Sequence, residues 1–156
     1  MESTYTVWKK STIRTIEDKT TSFDETLHKK VETDYLKRLV EKMATHAASP
    51  ETLIVFQKQM DALVAAIPTS TGFEDKELRR DFLKKKNKIK NTATIKHKLV
   101  HKGYYIGIWL AFGMALGISF GVAFGNIALG LSIGLAIGVA IGAWLDSKAL
   151  KEGRIV

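Results

Sequence analysis

The chain has 156 residues, 24 of them basic and 16 acidic, for a formal charge of +8, and no cysteine. The missing cysteine excludes a disulfide framework, thiolate chemistry and lipid attachment through sulfur. A mean hydropathy of −0.02 averages a polar first two-thirds with an apolar last third, so the chain reads as a helical region attached to a membrane segment.

Residues 1–21 are rich in threonine, with scattered Tyr5, Val7, Trp8, Ile13 and Ile16. Neither a helical nor a strand period is sustained, which predicts a flexible N-terminal arm or a weak extended segment. The polar start lacks the apolar core of a signal peptide, so a cytosolic start with late membrane insertion is expected. Ser22 with Glu25 three residues on predicts a capping box and a helix start. Phe23, Leu27, Val31, Tyr35, Leu36, Leu39, Val40, Met43 and Ala47 continue that helix's apolar face. Ser49-Pro50 predicts a second start, with serine as cap and proline where its missing donor costs nothing. Leu53, Phe56, Met60, Leu63, Val64 and Ile67 share a face up to Pro68, and Thr69 to Gly72 reads as a turn.

A third helix is expected from a capping box at Thr71 and Glu74, with a thin stripe of Leu78, Phe82 and Ile89 and a weak point at Asn91 to Thr94. Its early acids and late lysines follow the helix dipole. The expected architecture is therefore all-α. A cytosolic region of about three amphipathic helices covers 22–90, and a core of that size gains from self-association or a partner.

All the excess charge lies in one place. Between Phe82 and Lys102 stand Lys84, Lys85, Lys86, Lys88, Lys90, Lys96, Lys98 and Lys102 with no acid among them. This polybasic juxtamembrane segment, 82–102, is expected to contact anionic lipid headgroups, at ~1 kcal/mol per lysine near the surface. Binding of nucleic acid phosphates is the less favoured reading, because the segment has no arginine and its only aromatic is Phe82.

From Gly103 to Leu145 no residue is charged. As one helix this stretch would reach roughly 65 Å, about twice a bilayer core of ~30 Å. Two crossings joined near Gly125-Asn126 fit, giving a transmembrane hairpin over 103–145 and a basic cytosolic tail over 146–156. Lysines precede the first span, while Lys148, Lys151 and Arg154 follow the second. Both termini are thus expected in the cytoplasm, in the inner (cytoplasmic) membrane, with the uncharged turn outside. Tyr104, Tyr105, Trp109 and Trp144 serve as interfacial anchors at one end of such a hairpin.

Small and bulky residues alternate through both spans and form two small-residue rows. One is Gly113, Gly117, Gly121, Gly125, then Gly130, Gly134, Gly138, Gly142. The other includes Ala115, Ser119, Ser132 and Ala136. Lipid gives helices no hydrophobic drive to associate, so close backbone approach across small residues must supply the contact. A hairpin needs one row to close on itself, which leaves the second for homo-oligomerisation. Alternation also fits membrane strands, but those need about 9–11 residues each, and only one turn is visible in the 43-residue stretch.

No catalytic, cofactor-binding or metal site is expected. His97 and His101 have i, i+4 spacing but no third ligand and many lysines around them. The spans carry none of the ionisable residues that ion-coupled transport uses, so an enzyme or transporter is not expected.

On its repeated Gly-x-x-x-Gly motif, from Gly113 to Gly125 and from Gly130 to Gly142, the hairpin resembles bacterial glycine-zipper membrane proteins. It also looks like the glycine-rich hairpin subunit that oligomerises to bend mitochondrial cristae. The resemblance implies a membrane hairpin that self-associates. The leading expectation is a membrane protein that oligomerises through its hairpin and presents its helical region to an as yet unidentified protein partner. The alternative is a membrane-permeabilising toxin or defence effector, and the weakest is a membrane-tethered nucleic-acid binder.

Overall fold

In a computed structural model the chain is all-α, and the structure describes residues 4–46 and 49–156, the side chains of 44–46 excepted. Ala47, expected on an apolar helix face, lies outside them. Among the described residues there is no β-strand beyond one isolated bridge between Val100 and Ile155. The chain divides into two compact units, one of residues 1–99 with Val156 and the other of residues 100–155.

The first unit contains α1 (Thr4–Thr20), α2 (Glu25–Val31), α3 (Thr33–His46), α4 (Pro50–Ala65), a 3-10 turn (Thr71–Phe73) and α5 (Lys76–His97). The expected flexible arm is thus the helix α1. Its inward stripe runs Tyr5, Trp8, Thr12, Ile16 and Thr20, with Thr12, Ile16 and Thr20 buried. Threonines hide that stripe from a reading of apolar spacing. In the fold, the Thr20 hydroxyl donates to the Ile16 carbonyl at 2.8 Å, so it enters the core satisfied. Trp8 packs edge-on to Phe56, and its indole N–H donates to Asp61 at 2.9 Å.

Helix starts follow the strongest local acceptor. The expected Ser22–Glu25 box does not form. Asp24 is the cap instead, its carboxylate accepting from the Leu27 N–H at 2.7 Å. The Thr71–Glu74 box likewise gives way to Asp75, which accepts from Glu77 and Leu78. Ser49 does cap α4, with Pro50 in the first turn, and Thr52 returns a hydrogen bond to complete the box.

The long helix expected after residue 22 is interrupted at Glu32, whose φ of 61° is left-handed. That residue costs roughly 1–2 kcal/mol relative to glycine's freedom, and its side chain supplies the compensation described below. α5, by contrast, runs unbroken through Asn91 to Thr94. Ile89, Ala93 and His97 are buried along one side, and the Thr92 hydroxyl bonds back to the Lys88 carbonyl.

The core is larger than three thin helices would give. Ile16, Val31, Leu36, Leu39, Val40, Met43, Phe56, Met60, Leu63, Phe82, Ile89 and Leu99 are all fully buried. Phe23, Phe73 and Phe82 form an edge-to-face chain with centroids 5.8 and 5.9 Å apart, a preferred aromatic geometry. Leu78, expected in the α5 stripe, is 52% exposed; the stripe is carried by Phe82, Ile89 and Ala93.

The second unit is an antiparallel hairpin of α6 (Tyr104–Ala123) and α7 (Ile127–Lys151). The turn expected at Gly125-Asn126 is present. The tail expected at 146–156 is different, because α7 continues through it to Lys151. Beyond Gly153, with φ 70°, the chain folds back so that the Val100 N–H donates to the Arg154 carbonyl at 2.9 Å.

Candidate functional site: the glycine-packed hairpin

The turn is built by two residues. Gly125 has φ 72°, a conformation in which a Cβ would be strained. Asn126 caps α7, its side-chain oxygen accepting from the Leu129 N–H at 3.1 Å. Gly125, placed in the packing row by its spacing, therefore belongs to the turn, and a Cβ there would meet nothing within 4 Å.

The remaining glycines are where the two helices meet. Gly113, Gly117 and Gly121 of α6 face Gly130, Gly134 and Gly138 of α7 and the backbone around them, and Gly142 faces Ile106. A Cβ on Gly117 would sit 2.6 Å from the Gly130 carbonyl oxygen. One on Gly134 would sit 2.7 Å from the Gly117 Cα and would strike the Gly113 carbonyl. Neither leaves room for a methyl group, so the contact is backbone on backbone. Many small dispersion contacts over this length hold the helices together where lipid offers no other drive.

The bulky side chains point away from that seam. Phe112 is 54%, Phe120 58% and Leu129 61% exposed, and only 17% of each apolar window is buried. A soluble core helix has the reverse distribution, with its large apolar residues inside. On one side, Leu116, Phe120, Leu129, Ile133 and Ile137 wall an apolar groove of about 420 Å³ floored by glycines. Ala115, Ser119, Ser132 and Ala136 are exposed and take no part in closing the hairpin. The Ser119 and Ser132 hydroxyls donate to the Ala115 and Ala128 carbonyls of their own helices, at 2.9 and 2.8 Å.

The open end of the hairpin holds a polar cluster that no spacing along the sequence marks. α6 begins at Gly103, φ 83°, with no side chain able to cap it. Asp146, on α7, does this across the hairpin: its Oδ1 accepts from the Tyr105 N–H at 3.1 Å, and the carboxyl is buried. A carboxylate at a helix N-terminus is favoured by the dipole as well as by the hydrogen bond. The Arg154 guanidinium donates to the Tyr105 hydroxyl at 3.2 Å and pairs with Glu152. Asp146 lies one residue beyond the uncharged stretch, so it resembles a flank in sequence and acts as a cap only in three dimensions. Tyr104, Tyr105 and Trp109 stand at this end on α6, and Trp144 stands there on α7, 64% exposed.

The eight lysines expected as one lipid-facing set are divided between two sides of α5 and the segment after it. Lys86 is buried; its ammonium donates to the Lys30 carbonyl at 2.7 Å and to Glu32 at 2.9 Å. Lys90 donates to the other Glu32 oxygen at 2.8 Å and lies over the Tyr35 ring. These two are therefore internal to the first unit and do not form part of a headgroup surface. The spacing could not reveal this, because the carboxylate that recruits them is more than fifty residues away. Burial opposes the charge of Glu32, yet the two ammonium groups prevail and hold its pKa below the ordinary 4.5. Burial and the Glu32 charge push Tyr35 up to about 12. Lys85 pairs with Asp81, whereas Lys84, Lys88, Lys96, Lys98 and Lys102 are exposed. Among the described residues no group of His, Asp and Glu could hold a metal ion.

No curated protein and no solved structure matches the chain. Residues 100–148 match the glycine zipper membrane protein family, the same segment in which the glycines meet and the apolar side chains face outward. Through that two-helix region the chain is similar to glycine zipper membrane proteins, and it is a membrane protein.

Proposed function

We propose that the protein is a non-enzymatic membrane scaffold whose hairpin self-associates and whose first unit presents helical surface to a protein partner. The observation that carries this reading is the division of labour between the two small-residue rows. Glycines close each hairpin, while Ala115, Ser119, Ser132 and Ala136 stay outward, a surface that suits close approach by a second hairpin in lipid. The lysines before α6 and after α7 support an orientation with both termini in the cytoplasm, in the inner membrane, and contact with anionic headgroups. The permeabilising alternative is less favoured, since the outward hydroxyls are spent on their own helices and would line a lumen poorly.

The test must spare the glycine seam. Ser119→Leu with Ser132→Leu should abolish cross-linked oligomers in bilayers while leaving the hairpin folded. Unchanged cross-linking would sink the self-association reading, and dye release from liposomes by the unaltered chain would move the choice to the permeabilising one.

A further inference from the structure

α5 sorts its lysines by face. At 100° per residue, Phe82, Lys86, Ile89, Ala93 and His97 fall on the buried side. Lys84, Lys88, Asn91 and Ile95 fall on the opposite side. Lys84, Asn87, Lys88, Asn91, Thr92 and Ile95 line a shallow groove of about 540 Å³, and Lys96, nearer the buried side, closes one edge of it. Among the described residues no ion pair engages Lys84, Lys88 or Lys96, and no carboxylate lines the groove. Ile95 is 77% exposed within this basic surface. Glu32 holds Lys86 and Lys90 on the other side of the helix, so the outward set is what remains for a ligand. Only six residues of sequence, 98–103, separate α5 from α6.

We propose that this groove is a binding site for anionic phospholipid headgroups of the bilayer that the hairpin spans. Three ammonium groups and two carboxamides match a phosphate and its glycerol or sugar substituents. A bare isoleucine beside them suits the boundary between headgroups and acyl chains. Charge complementarity selects the occupant: a groove lined by three lysines and no carboxylate, close in sequence to a membrane span, meets a negative leaflet first. The inference rests on the membrane-hairpin reading and narrows the headgroup contact from eight lysines to Lys84, Lys88 and Lys96.

The chain has no native cysteine, so single labels are direct to place. The full chain carrying bimane at Ile95→Cys would be reconstituted in phosphatidylcholine nanodiscs with increasing phosphatidylglycerol. Bimane emission should shift to the blue and be quenched by headgroup-level nitroxide lipids as phosphatidylglycerol rises, and added salt should reverse this. Lys84→Gln, Lys88→Gln and Lys96→Gln together should weaken the response about tenfold or more. Replacing Lys29, Lys58 and Lys76 with Gln should not. Equal responses in the two lipids, or no effect of the groove variant, overturn the proposal. A labelled DNA duplex that shifts the bimane in lipid-free micelles more strongly than short-chain phosphatidylglycerol does also overturns it. A second label at Ile118→Cys, read with acyl-chain nitroxides, separates the two readings. Quenching there with a silent Ile95 label removes only the headgroup site, whereas no quenching at Ile118 removes the hairpin reading and this one with it.

Discussion

Glu32 shows how one residue can pay a local cost and recover it elsewhere. It breaks the helix in a left-handed conformation and places a carboxylate between Lys86 and Lys90. Glu32→Gln leaves the Lys86 ammonium buried with neutral partners alone, the Lys30 carbonyl, the Phe82 ring and an amide oxygen, so it should destabilise the first unit by about 2 kcal/mol, the range for hydrogen bonds to charged groups. Amide exchange of Val31, Tyr35 and Ile89 would measure this; no change would mean that solvent screens the cluster fully. The sign of the pH dependence follows from the depressed pKa. Below the ordinary 4.5, the unfolded state takes up the proton first, so stability falls as pH drops through the lower folded value. That acid sensitivity should shrink in Glu32→Gln. In alkali Tyr35 acts in the other direction. It ionises near 10 when unfolded and about 12 when folded, so stability falls as pH rises through that interval. Asp146 is the second long-range residue. Asp146→Leu should fray the first turn of α6, at about 1 kcal/mol for a lost cap, seen as faster exchange of the Tyr105 amide.

At the scale of the element, the glycine seam makes the sharpest demand. Gly134→Ala places a methyl against the Gly113 carbonyl and the Gly117 Cα, where only separation of α6 and α7 can relieve it, at about 1–3 kcal/mol for overpacking. Spin labels at Met114→Cys and Ile133→Cys should report a longer and broader distance; an unchanged distance would contradict the backbone contact. α1 makes the complementary point. Its inward positions alternate between rings, isoleucine and threonine, and apolar spacing alone misses a helix in which the buried Thr20 satisfies itself by bonding back to the preceding turn. Caps erred for a related reason: Ser22 and Thr71 have the right spacing, but Asp24 and Asp75 are nearby charged acceptors and displace them.

For the whole molecule, the lysine flanks predict one topology. A membrane-impermeant maleimide applied to sealed spheroplasts should label Phe124→Cys, in the exposed turn, and spare Lys151→Cys until the membrane is opened. The reverse pattern would invert the orientation and place the α5 groove on the other leaflet.

The membrane hairpin, its turn and the existence of a glycine face were legible in the chain itself, because lipid imposes its demands locally. Span length, absence of charge and small-residue period are all counted along the sequence. What only the tertiary structure decided was the use of each group. The glycines close the hairpin and leave Ala115, Ser119, Ser132 and Ala136 outward. Eight lysines divide into an inward pair on Glu32 and an outward set on α5 and the segment after it. Asp146 caps a helix forty-one residues before it in the chain. Each depends on a partner brought close by folding, and no period along the sequence records who that partner is.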